Sequence, residues 1–488
     1  MTASTTTGDR RPQLNYGLDE VPKPWPKAVG LGLQHVLTMF GATVAVPFIL
    51  APILEFDGTQ LAILISSVFI CSGLATILQV RFGSRLPIVQ GVSFAFLGPF
   101  IAVASTYQGE EAMRYIAGAI LAGAVVEMVI GYGGVIGFLR RFITPVTIAP
   151  VIALIGLSLY DAAAINASMN WWLALATLAV IVLFSLALAP RIRAFSLFPI
   201  LLAVLSMYAV ALLLTAVGVF DEGTPGYVSF AALGDTPWIR GVEVSEGGLL
   251  FPWGTPRFEV GIFVAVLAAY LASAIESFGD YHAISRIAGQ GDPSTQTINR
   301  GIGAEGVGCF LSGLFGGFSS TSYSENIGLV GLTKVASRAV VLIGAVALLV
   351  LGLVSKIGGL IATIPPPIVG GVYLALFGLI ASVGLSNLRR IDMDSQRNLM
   401  ILGIVLFMGF VSPQYFNVYA GEDWNLWNID WLSDIIRSIG SSGIAVGAVV
   451  GLLLDNLIPG TPEERGIGSD AVVVPPSDLP GAQELRDS

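Results

Sequence analysis

The sequence predicts an all-α polytopic membrane protein of fourteen transmembrane segments, arranged as two inverted seven-span repeats. Three observations carry that prediction. The first is composition. Of 488 residues, 54% are hydrophobic and 12% charged, and mean hydropathy is +0.79. A soluble domain carries about 25% charged residues, so a water-soluble fold this poor in charge could not cover its own surface. The second is patterning. A bilayer core needs about 20 apolar residues per helix. Apolar stretches recur near 28–50, 60–80, 88–105, 113–134, 144–160, 171–189, 195–219, 258–285, 300–317, 321–337, 338–357, 366–384, 396–415 and 437–457. The third is charge. With the N-terminus inside, all of the 24 basic residues except Arg114, Arg240, Arg257, Lys356 and Arg437 fall on cytoplasmic segments. Loops rich in Lys and Arg stay inside, and dropping any one span would invert the loops after it and spoil the bias.

The chain then divides in order. Residues 1–26 form a polar, Pro-rich cytoplasmic tail with no apolar core of a cleavable signal peptide. The first repeat occupies 27–219. An acidic outer loop, 220–257, is the longest connection and separates seven spans from seven. Seven is odd, so the second repeat, 258–457, starts from the opposite face, the inverted plan of many transporters. Residues 458–488 mix Pro, Gly and acids and form a second cytoplasmic tail. This arrangement places the protein in the cell (plasma) membrane as a multi-pass protein with both termini cytoplasmic.

Several functions are disfavoured at once. The net charge of −9 argues against a nucleic-acid partner. Two cysteines, Cys71 and Cys309, and two histidines, His35 and His282, supply no disulfide framework, metal site or cofactor ligand set. No nucleophile–base pair or phosphate loop points to an enzyme.

The third span of each half is interrupted. The first reads Gln90-Gly91-Val92-Ser93-Phe94-Ala95-Phe96-Leu97-Gly98-Pro99, the second Gly316 to Gly328 with hydroxyls at Ser319, Ser320, Thr321 and Ser322. Gly91 and Glu325 are 234 residues apart, close to the 231 separating the first spans of the halves. Serine competes with the backbone for hydrogen bonds and favours caps over helix interiors. Irregular backbone at this depth must pack on protein or line a cavity. Two short extended pieces that pair with each other satisfy that demand. Each then feeds a half-helix whose N-terminus offers free N–H groups and partial positive charge at midplane.

Three acids of the second half lie in apolar spans: Glu276, Asp280 and Glu325. Each costs about 2.5–3.5 kcal/mol to insert and marks a site or a partner. Glu276 and Asp280 are four residues apart on one helix face. No Lys or Arg lies within two turns before Glu276. Such a carboxylate can take up a proton or accept a hydrogen bond from a ligand N–H. Gln34 and His35 in the first span and Glu127 in the fourth are further intramembrane polar residues, with Glu127 read as structural. The Trp-rich stretches at 171–172 and 424–431 read as interface anchors.

These residues resemble the nucleobase–ascorbate transporter family of xanthine and uracil permeases. Four blocks carry the resemblance: Gln34-His35 with Met39 to Pro47; Gly91 to Phe96; Glu276 to Tyr281; and Glu325-Asn326-Ile327-Gly328 through Thr333-Lys334, which is similar to the family signature at every fixed position. The resemblance implies a core domain of spans 1–4 and 8–11 and a gate domain of spans 5–7 and 12–14. It implies a nucleobase held between the half-helices of spans 3 and 10 by Glu276 and Glu325. Backbone groups at Ser93, Phe94 and Gly328 would assist, and the Phe94 ring would stack on the base. Asp280, Asn326, His35, Gln34 and Thr333 would act in coupling or support. It further implies a coupling proton, with sodium as the alternative cation, and a homodimer. Asp280 followed by Tyr281 matches purine-type members and Glu325 matches bacterial ones, so xanthine or uric acid is expected ahead of uracil, with ascorbate last. The competing reading is an anion carrier of the same architecture for sulfate, bicarbonate or a dicarboxylate. Like charges at the site oppose it.

Overall fold

The computed structural model describes residues 13–135, 142, 144–241, 247–421 and 424–466. Arg10, Arg11, Arg140, Arg141 and Arg486 lie outside the described residues, as does the C-terminal tail from residue 467. The first half contains α1 (Trp25–Ile53), α2 (Gly58–Arg81), β1 (Gln90–Val92), α3 (Leu97–Thr106), α4 (Gly109–Tyr132), α5 (Pro145–Leu157), α6 (Tyr160–Ser168), α7 (Trp171–Val182) and α8 (Pro199–Ala216). The second contains α9 (Val260–Ile287), α10 (Thr295–Leu314), β2 (Ser320–Ser322), α11 (Ser324–Thr333), α12 (Arg338–Leu353), α13 (Ser355–Ala362), α14 (Pro366–Ser386), α15 (Gln396–Gln414), α16 (Asp430–Gly440) and α17 (Gly443–Leu457).

Each of the fourteen apolar stretches is occupied by one of these elements. Among the described residues, nine helical spans are long and apolar enough to cross a bilayer by themselves. The pair α12–α13, bent by 79°, makes a tenth. The half-helices α3 and α11, the Gly-rich α10 and the short α17 complete the set. Three boundaries differ from the sequence reading. The fifth span runs on through α6 to Ser168, and the eleventh stops at Leu353, where α13 turns away to pack on α2. The last span begins at Gly443, after the separate helix α16.

Helix starts follow ordinary capping chemistry. Asp57 and Gln60 form a reciprocal capping box at α2. Thr144, Ser294, Ser337 and Ser442 cap α5, α10, α12 and α17.

Packing repeats across the two halves. α4 lies along α10, and α12 lies along α2; exchanging the halves turns one pair into the other. Both contacts are made by small residues that let backbones approach. A Cβ on Gly306 would sit 2.8 Å from the Met128 backbone nitrogen, and one on Gly73 would sit 2.7 Å from the Ala345 carbonyl oxygen. These helices, with α1, α9 and the two half-helices, form the core domain. α5 to α8, α14, α15 and α17 pack among themselves as the gate domain. The two domains meet where α1 touches α14 and where α9 touches α16 and α17.

Candidate functional site

The expected pairing of the two breaks is present. β1 and β2 run antiparallel, with Gln90 opposite Ser322, Gly91 opposite Thr321 and Val92 opposite Ser320. The ladder continues through Ser93 N–H to the Ser319 carbonyl (3.0 Å) and Tyr323 N–H to the Val89 carbonyl (3.0 Å). All six strand residues are buried, and the two strands satisfy each other's backbone groups, as irregular backbone within a membrane span requires. Glycine is required at 91 because a Cβ there would meet the Tyr323 ring at 2.5 Å. The Tyr323 hydroxyl donates to the Val92 carbonyl (3.0 Å), bracing the ladder from the second half to the first.

From this crossing α3 and α11 diverge, each ten residues long. The start of α11 at Ser324 leaves the N–H groups of Ser324 and Glu325 without acceptors inside the helix. Asn326 and Ile327 donate theirs to the Tyr323 carbonyl.

The acids gather here. Glu276 and Glu325 are half-buried. Glu276 faces Asp280, Glu325 and Glu305 and has no hydrogen-bond partner among the described residues. The Glu325 carboxylate has only its own backbone N–H. Open space lies beside them, since a Cβ on Gly279 or on Gly328 would meet nothing within 4 Å. Asp280 differs from both: it is buried and accepts from Ser322 Oγ (2.8 Å) and Ser324 Oγ (2.8 Å). Each of its two oxygens is therefore engaged, one by β2 and one by the start of α11, which makes it a brace between α9 and the break.

The remaining expected residues are placed as follows. Ser93 uses its N–H on the ladder and its hydroxyl to accept from Ala95 N–H (3.3 Å). Phe94 lies at the core–gate boundary, edge-on to Phe377 of α14 at a centroid distance of 6.0 Å. Phe377 in turn stacks on Tyr373, whose hydroxyl donates to the Ala45 carbonyl of α1 (2.9 Å). Asn326 donates to His35 Nδ1 (3.1 Å) and to the His35 carbonyl (3.0 Å), tying α11 to α1. Gln34, the residue before His35 on α1, is half-buried. Thr333 stands at the far end of α11, bonded to the Leu329 carbonyl, with its own carbonyl capped by Asn15.

One acid escaped the sequence reading. Glu305 of α10 is 1% exposed and accepts from Ser277 (2.7 Å), Tyr281 (2.9 Å) and Ser273 (3.4 Å). Tyr281 in turn accepts from Gln79 of α2. The cost of burying a carboxylate in an apolar span, applied to Gly303-Ala304-Glu305-Gly306, was the signal that could have found it.

A family model for xanthine/uracil permeases, described as "Permease family", matches residues 26–418. The chain belongs to this permease family. Its relatives include Solute carrier family 23 member 2 of Mus musculus, 38% identical over 95% of this chain and 78% of that protein. Nucleobase-ascorbate transporter 2 of Arabidopsis thaliana is 34% identical over 94% of this chain and 91% of that protein. The protein is thus a multi-pass membrane transporter and not an enzyme. Two solved structures share the fold. The transmembrane domain of a cyanobacterium bicarbonate transporter, BicA, has a TM-score of 0.55 at 13% identity, covering 87% of this chain and 99% of that one. The murine anion transporter Slc26a9 has a TM-score of 0.60 at 12% identity, covering 90% of this chain and 69% of that one. At such identities the likeness speaks to architecture alone.

Proposed function

We propose that this transporter imports a nucleobase together with a proton, with xanthine or uric acid preferred over uracil. The observation that carries the reading is a pair of half-buried carboxyl groups, Glu276 and Glu325, without side-chain partners beside the open N-terminus of α11. A planar base offers what this site lacks: ring N–H donors for the two carboxylates and carbonyl oxygens for the helix N–H groups. Phe94 supplies an apolar ring nearby, and its edge contact with Phe377 joins the site to the gate. Xanthine and uric acid carry the same pyrimidinedione face as uracil and add imidazole-ring N–H donors, so they fill more of these positions than uracil does. An anionic cargo such as sulfate would instead face uncompensated like charge.

The same reading places the protein in the plasma membrane with both termini in the cytoplasm, as a homodimer. It assigns 1–26 and 458–488 to the tails, 220–257 to the outer loop, and 27–219 and 258–457 to the repeats.

Uptake of radiolabelled bases in cells expressing the protein tests the function, with a protonophore and sodium removal as separate arms. Excess xanthine should block uptake, excess sulfate should not, and the protonophore should stop accumulation. Uptake blocked by sulfate and indifferent to every base would overturn the reading. Arrest by sodium removal alone would replace the proton with sodium.

A further inference from the structure

Glu127 is the intramembrane acid that the site above does not use. It lies on α4, is 3% exposed, and neither carboxyl oxygen has a hydrogen-bond partner. The groups facing it are Glu305 and Cys309 from α10 and Tyr270 and Tyr281 from α9. No Lys or Arg pairs with it among the described residues. α4 and α10 touch at backbone distance here, with Gly306 against Met128. An ionised Glu127 would be a buried charge with only the weak Cys309 S–H beside it, a costly arrangement. The acid form needs only one acceptor, and the carboxyl group of Glu305 faces it.

Glu305 is provisioned in the opposite way. Three hydroxyls donate to it, as suits a carboxylate. From Glu305 the hydroxyls continue without a gap: Ser277 Oγ lies 3.1 Å from Ser322 Oγ, which lies 2.8 Å from Asp280. We propose that Glu127 and Glu305 form a carboxyl pair that stores the transported proton behind the substrate site and passes it to Asp280 through Ser277 and Ser322. The inference rests on the proton-coupled reading above. Each transfer moves a single proton and no electrons. The Glu127 O–H gives its proton to Glu305. Protonated Glu305 donates to Ser277, whose own hydrogen passes to Ser322, whose hydrogen passes to Asp280. Glu127 is left ionised until it is reprotonated.

Glu127→Gln keeps the shape of the neutral acid and removes its proton. In proteoliposomes, xanthine binding should stay within about twofold of wild type. Gradient-driven uptake should fall about tenfold or more, equivalent to ~1.4 kcal/mol on the barrier, and its pH profile should flatten. Glu127→Asp should restore part of both. The infrared spectrum of the wild type should show a protonated-carboxyl stretch that changes on xanthine binding and is missing from the Gln variant. A Gln variant with the wild-type rate and pH profile would overturn the proposal. If that variant does not assemble, a wild-type carboxyl spectrum unchanged by xanthine overturns it instead. A wild type that takes up xanthine but ignores the proton gradient refutes the relay while leaving the substrate assignment standing.

Discussion

The two broken spans share a geometry but not a chemistry. Each is a buried three-residue strand followed by a ten-residue half-helix, and the strands pair residue for residue. Around β1 and α3 the side chains carry no charge: Val92, Phe94 and Phe96 are buried, Ser93 caps its own turn, and Gln90 holds a buried amide without a partner among the described residues. Around β2 and α11 stand Glu276, Asp280, Glu305 and Glu325 with the hydroxyls of Ser277, Ser322 and Ser324. Duplication thus explains the frame, while the titratable groups gather in the second half. On the proposed reading, the first half lends backbone, one aromatic ring and the Glu127 carboxyl group, and the second half supplies the ligand-facing acids and the rest of the proton path.

If this division holds, substitutions in the second half should change chemistry, and those in the first, Glu127 apart, should matter mainly where they move backbone. Glu276→Gln carries the largest expected effect. It removes an unpartnered acceptor facing the open site, and uptake should be nearly abolished while membrane insertion is kept. Wild-type uptake by that variant would remove Glu276 from the site. Gly91→Val comes next and tests the backbone role of the first half. Its Cβ would press into the Tyr323 ring, so the ladder must separate. Transport should fall to background with a lowered melting temperature; an unaffected variant would mean the crossing is not tightly packed. Glu325→Gln keeps one acceptor oxygen and adds a donor. A mispaired buried group costs about 1–3 kcal/mol, roughly tenfold to hundredfold in affinity, so a competition panel should return the bases in a changed order. An unchanged order would take the span-10 break out of recognition. Phe94→Leu should do least, because an aromatic contact is worth about 0.5–1.5 kcal/mol beyond its area. A rise in apparent Km of two- to tenfold or so is expected, and total loss would show that the first half contributes more than a surface.

Much of this was readable before any coordinates. The matched breaks were visible because Gly and clustered hydroxyls do not belong inside a continuous membrane helix, and both strands appear where those residues stand. Glu276, Asp280 and Glu325 stood out because an acid in an apolar run is expensive. That Asp280 braces rather than faces the open site depends on Ser322 and Ser324, which only folding brings to it. Glu305 was hidden within a Gly-rich stretch whose burial comes from packing against α4 and α9. The same holds for Arg240 of the outer loop. It is 3% exposed and donates to Ser67 Oγ (2.7 Å), although loop residues are ordinarily solvated. Residues ahead of α1 also gain structure from distant partners: Asn15 and Tyr16 donate to the Lys334 carbonyl, and Tyr16 accepts from Ala336 N–H. Nothing local to those short stretches specifies such contacts. The division of helices into core and gate followed from family resemblance, since hydropathy alone does not say which helix meets which.

The central claim is that a nucleobase binds between Glu276 and Glu325 at the start of α11. The most direct measurement is a structure of the full-length protein determined with xanthine. The base should lie with ring N–H groups on both carboxylates, a carbonyl oxygen at the Ser324 N–H and Phe94 against its face. Xanthine seated elsewhere, with Glu276 and Glu325 both out of hydrogen-bonding reach, would contradict the account.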